Sequence, residues 1–164
     1  MRHMAAALVV SLLMLARPAY ADDEPAKKLI GSWRLISFKV QVVGESAEPR
    51  DVLGPEPFGR IIITPEHTMA SYIARQGRKG PPANDAEAAA LLSSMSAYTG
   101  RYRIEGDKVI TTVDGAWNEI LKAQEQVRYF SVDGDKLTIR TPEQPSAVLP
   151  GKRAISTLLW EREK

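Results

Sequence analysis

The sequence predicts an all-β protein, an eight-stranded antiparallel up-and-down barrel with one short helix between its third and fourth strands. Three observations carry this. Stretches rich in Ile, Val, Phe, Tyr and Trp recur along the chain, as strands do. Several are joined by tight turns such as Glu105-Gly106-Asp107 and Asp133-Gly134-Asp135, where glycine supplies the positive φ that a hairpin needs. Only one segment reads as a helix, so the strands follow as sequential hairpins and not as a parallel sheet.

The elements follow in order. "MRHMAAALVVSLLMLARPAYADDE" opens with a basic start, an apolar run and Ala19-Tyr20-Ala21, the pattern of a signal peptide. Its apolar run of about 13 residues is short of the roughly 20 that span a bilayer. A cut after Ala21 is expected, and with it a periplasmic or secreted location. Residues 22–28 then read as a flexible lead-in, and residues 29–164 as the barrel domain.

"LIGSWRLISFKVQVV" is the first strand, "FGRIIIT" the second and "TMASYIAR" the third. Residues 85–96 give the helix. Asn84 stands three residues before Glu87, a capping-box spacing, and Ala88, Leu91, Leu92 and Met95 make one apolar stripe. "AYTGRYRIE", "KVITTVD", "AQEQVRYFSV", "KLTIRT" and "RAISTLLWERE" are the remaining five strands.

Composition excludes several classes. The chain has 22 Lys and Arg against 20 Asp and Glu. Removal of Arg2 and Arg17 with the leader would equalise the two, so no broad attraction to nucleic acid or anionic membrane is expected. There is no cysteine, so an exported form must be held by its core alone. A domain of this size buries roughly 70% of its unfolded surface, which is enough.

Gly31-x-Trp33 on the first strand calls for a structural role. An indole there can plug one barrel end, and the glycine lets the chain bend as it enters. In a closed barrel the last strand lies beside the first, so Arg162 can cover the indole face. Gly31, Trp33 and Arg162 are expected to form a clasp.

"GSWRLISF", "FGRIIITPEHTMASYI", "AYTGRYRIEGDKVITTV", "QVRYFSVDGDKLTI" and "LLWER" together resemble the small lipocalin-like domain proteins of bacteria and fungi, within the calycin group of ligand-binding barrels. The resemblance runs from Leu29 to about Arg162 and implies a pocket more than a reaction. Where relatives often carry histidines this chain has Thr111 and Thr112, so no proton-transfer role carries over.

The residues give little catalytic chemistry. Downstream of the leader the one histidine is His67, in an expected turn, and without cysteine no His/Cys zinc cluster forms. No nucleophile-elbow motif accompanies it, and Asp133-Gly-Asp135 lacks the spaced ligands of a calcium loop. No metal or cofactor is expected.

What remains is a pocket. Tyr98, Gly100, Tyr102 and Ile104 alternate onto one face, and two tyrosines around a glycine leave a gap. Met69, Tyr72, Trp117 and Phe130 are further candidates for its lining. The helix is expected to bury its stripe over one barrel mouth, as plug or lid. The leading expectation is an exported protein that binds a small, largely hydrophobic molecule without catalysis. The alternatives are an isomerase or cyclase acting through tyrosine or carboxylate, and a protein-interaction module with a filled barrel.

Overall fold

Eight antiparallel strands close on themselves in the computed structural model, which describes residues 24–146 and 148–164. The expected leader and its cut after Ala21 lie outside these residues. The order is α1 (Glu24–Leu29), β1 (Gly31–Val42), β2 (Arg50–Asp51), β3 (Phe58–Ile63), β4 (Thr68–Ala74), α2 (Asp85–Ser93), β5 (Met95–Glu105) and β6 (Lys108–Ala116). A 3-10 turn (Glu119–Ala123), β7 (Gln126–Asp133), β8 (Lys136–Arg140), β9 (Gln144–Pro145) and β10 (Arg153–Arg162) complete it. β1, β3 to β8 and β10 form the barrel, and β1 pairs with β10 to close it. The two-residue strands β2 and β9 flank β1 and β10.

Closure removes the exposed sheet edges that invite aggregation, and two bulges help the sheet to bend. One interrupts β1 between Leu35 and Ser37, and the other shifts the β5–β6 register between Thr99 and Gly100. At the second, the Thr99 hydroxyl donates to the Asp114 carboxylate at 2.6 Å. The strand expected over residues 29–43 is therefore a bent one, running from Gly31 to Val42.

Glu24–Leu29 is helical, with Ala26 and Leu29 buried. Leu29 belongs to the core cluster, so burial of this one side chain pins the segment. One expectation is corrected, and it concerns α2. Asn84 caps it as expected, its side chain accepting from the Glu87 amide at 3.0 Å. Its stripe, however, covers no mouth: none of its residues is buried and Leu92 is 53% exposed.

The physical reason lies in what takes that place. Leu53 is buried, and Val52 and Leu149 pack against the core from the loops after β1 and before β10. Met95, the last member of the expected stripe, has already entered β5. An alanine-rich helix with one leucine pair cannot compete with loop leucines for the same apolar surface. Arg78 instead ties α2 to the sheet, donating to the Tyr72 hydroxyl at 2.7 Å and to the Leu91 carbonyl at 3.0 Å.

Candidate functional site

Residues paired across antiparallel strands share a face. The buried Trp33, Ile61 and Met69 therefore fix which side chains point inward.

The end near the β1 start is sealed. Trp33 and Trp160 are 0% and 1% exposed, packed with Leu29, Leu35 and Leu137. The Trp33 indole N–H donates to the Leu29 carbonyl at 2.9 Å. The Arg162 guanidinium lies 3.9 Å from the Trp33 ring centre, a cation–π distance. It also donates to the carbonyls of Ile30 at 2.8 Å and Lys28 at 2.6 Å. Gly31 has φ +138°, and a Cβ there would stand 2.6 Å from Arg162 Nη1. Gly31, Trp33 and Arg162 thus meet at the closed end.

Toward the mouth burial is mixed: Val40, Val42 and Ala154 are buried there. Ser71, Ile73, Ser96, Tyr98 and Arg128 stand at inward positions by register, yet each is only half-buried. Leu158, opposite Phe38 and Ile139, is half-buried as well.

The expected pocket residues fall in three places. Tyr98, Gly100, Tyr102 and Met69 stand together on the β4–β5 wall. Tyr98 is in the mouth half, whereas Tyr102 is buried and donates its hydroxyl to the Thr64 carbonyl at 2.8 Å. Burial, and secondarily the Glu66 carboxylate, raises the Tyr102 phenol above its ordinary pKa. Phe130 stands inward on β7, half-buried beside a cleft that α1 and the Gly106-Asp107 turn also line.

Tyr72 and Trp117 are not in the interior, which corrects their expected place in its lining. Tyr72 pairs with Arg60 on the outer face and meets Phe58 edge-on at 5.7 Å. Trp117 sits at the rim, its indole N–H donating to the Ser96 hydroxyl at 3.2 Å. With Phe58, Ile62, Ala70 and Thr99 they border an outer groove of about 510 Å³. The gap expected beside Gly100 is also absent. A Cβ there would lie 2.3 Å from the Thr112 carbonyl oxygen and 2.9 Å from Thr111 Cγ2, so the glycine serves close strand approach at the bulge.

His67 is in the β3–β4 turn at φ +61°, its ring 5.3 Å from that of Tyr102. Among the described residues no three His, Cys, Asp or Glu side chains gather where a metal could sit. None of the helices there is long and apolar enough to cross a membrane.

A polar band on the inner wall escaped the sequence reading. Thr111 and Gln126 are paired and buried, at 1% and 6% exposure. The Thr111 hydroxyl donates to Met69 Sδ at 2.9 Å. Gln126 donates to the carbonyls of Leu121 and Gln124, at 3.2 and 3.1 Å, which anchors the 3-10 turn. Thr141, also buried, accepts from the Ser156 amide at 2.9 Å. Between them stands Arg128, opposite Val109.

A closed eight-stranded barrel of this kind is the form of a small-ligand-binding domain. The sequence agrees with the geometry: residues 30–163 match the lipocalin-like domain family, and the chain belongs to it. No curated protein matches this chain.

Proposed function

We propose that this protein is an exported carrier that binds one small, largely hydrophobic molecule in the mouth half of its barrel. The observation that supports this is that Ile73, Tyr98 and Leu158 point inward toward the mouth and remain partly accessible. Apolar wall with a few polar groups is what orients a small ligand. Catalysis is not part of the proposal. By register, the inward positions of the eight barrel strands hold no Asp, Glu or His, and of the usual proton-transfer groups they carry only Tyr98 and Tyr102.

Native mass spectrometry of protein purified gently from its own host tests the carrier reading. An added mass that disappears on denaturation is the expected result. A bare mass, with no uptake from a lipid and metabolite extract, would count against it. Export rests on residues 1–21, and a purified protein whose first residue is Met1 and not Asp22 would refute it.

The outer groove supports a second reading, a protein-interaction module. Phe58 and Ile62 are 58% and 44% exposed there, and an apolar patch on a sheet face marks contact surfaces. Loss of a co-purifying partner on Phe58→Ser, with the ligand mass unchanged, would favour this second reading.

A further inference from the structure

We infer that the bound molecule carries an acidic group, a carboxylate, and that Arg128 is the residue that receives it. This deepens the carrier reading and rests on it. Arg128 is placed on the inner wall by its pairing with Val109, which is 3% exposed, and by Gln126 and Phe130 on the same face of β7. Its guanidinium is half-buried.

Its hydrogen bonds are few. Nη1 donates to the Val127 carbonyl at 2.7 Å and Nη2 to Gln126 Oε1 at 3.0 Å. A guanidinium has five N–H donors, so three remain. Both partners are neutral, and neither offers the paired oxygens of a carboxylate.

The contrast with other arginines is informative. Arg34, Arg50, Arg60, Arg103 and Arg153 each hold a glutamate within 2.9 Å, and Arg75 and Arg78, which donate to carbonyls and a hydroxyl instead, are not at inward strand positions. Arg162 covers Trp33 and approaches Asp135. Arg128 faces the barrel interior, whose inward strand positions carry no acidic residue. A partly buried cation without a counter-charge costs stability, and a ligand that supplies the charge removes that cost. A carboxylate fits because a guanidinium fork receives its two oxygens in parallel.

Gln126, 6% exposed, opens β7 at the mouth end, Arg128 follows one inward position deeper, and Phe130 and Val132 continue toward the closed end.

The test uses decanoate and decanol as probes, titrated calorimetrically into the full-length mature protein and into Arg128→Gln. Unaltered protein is expected to bind decanoate about 10- to 100-fold more tightly than decanol, the ratio for a charge-assisted hydrogen bond. Arg128→Gln is expected to lose that preference and keep decanol binding. Equal affinities in the unaltered protein would overturn the acid anchor and leave the carrier reading standing. Binding of neither probe would overturn both.

Should Arg128→Gln fail to fold, the unaltered protein still decides. The Arg128 side-chain Nε–H signal should shift on addition of decanoate and not of decanol. A decanoate-bound protein whose Arg128 signal does not move refutes the assignment.

Discussion

Replacing Arg162 by methionine keeps a long side chain over Trp33 but removes the charge and the donors. Two charge-assisted bonds are lost, to the Ile30 and Lys28 carbonyls at 2.8 and 2.6 Å. Because the arginine is 29% exposed, each bond is taken at the low end, about 1.5 kcal/mol. The ring contact at 3.9 Å adds about 1 kcal/mol. The 4.0 Å approach to Asp135 is an exposed pair and contributes little. The total is about 4 kcal/mol, a large part of the roughly 5–15 kcal/mol that holds a typical domain folded. Urea denaturation followed by tryptophan fluorescence measures it. With a slope of about 2 kcal/mol per molar, the midpoint should fall by about 2 M. Arg34→Met, which removes only the surface pair with Glu161, should cost less than about 1 kcal/mol. A midpoint for Arg162→Met as close to that of the unaltered protein as Arg34→Met is would refute the clasp.

Further outcomes follow from other contacts. Gly100→Ala forces a Cβ against the Thr112 backbone and should lose about 1–3 kcal/mol. Gly115→Ala meets only the Thr99 hydroxyl and should lose less, so equal melting temperatures for the two would contradict the backbone clash. Hydrogen bonds from Arg60 hold the Glu163 carboxyl below its ordinary pKa, and the Arg103 and Lys136 bonds do the same to Glu125 and Glu161. A depressed folded-state pKa gives stability that is full above the ordinary carboxylate range and lost as pH falls through the folded value. Glu163→Gln should therefore flatten the acid limb of a stability–pH curve, and an unchanged limb would dismiss this site. Arg78→Ala cuts the bonds to Tyr72 and Leu91, so α2 amides should exchange faster while the barrel melts at nearly the same temperature.

The fold was legible because each level of the chain agreed with the next. Turn glycines such as Gly106 and Gly134 have the positive φ, 61° and 54°, that a hairpin reading requires. Alternation in "FGRIII" matches a strictly alternating burial pattern. The clasp was readable as well, since Trp33 and Arg162 are register partners once first and last strands pair.

The interior was less legible, for physical reasons. "QVRYFSVD" carries apolar residues on both faces, Val127 and Tyr129 on one, Phe130 and Val132 on the other. Period-two alternation alone cannot choose between them. The choice is made by register against β6 and β8, which turns Phe130 inward and brings Gln126 and Arg128 with it. A signal was available in Val132, which immediately precedes the Asp133-Gly134-Asp135 turn and faces Leu137. The same ambiguity put Tyr72 among the expected lining residues. The helix failed differently: Met95 had already entered β5, Asp85–Ser93 gathers no apolar face, and Leu53 and Leu149 lay in loops whose packing has no period to read.

The two barrel ends divide stability from binding. At the closed end the Trp33 indole is spent on Leu29 and the Arg162 fork on Lys28 and Ile30, while the buried Trp160 indole N–H meets no partner among the described residues. Near the mouth the polar groups are placed but not exhausted, and Arg128 is the clearest case. A chain selected for stability alone would place an aliphatic residue opposite Val109, since replacing a buried charge with apolar volume is often neutral or stabilising. On the proposed reading, a half-buried guanidinium there, facing no acid, is kept for an incoming negative charge. Binding and stability are then one linked quantity, because a ligand held by the folded state alone raises its stability in proportion to occupancy.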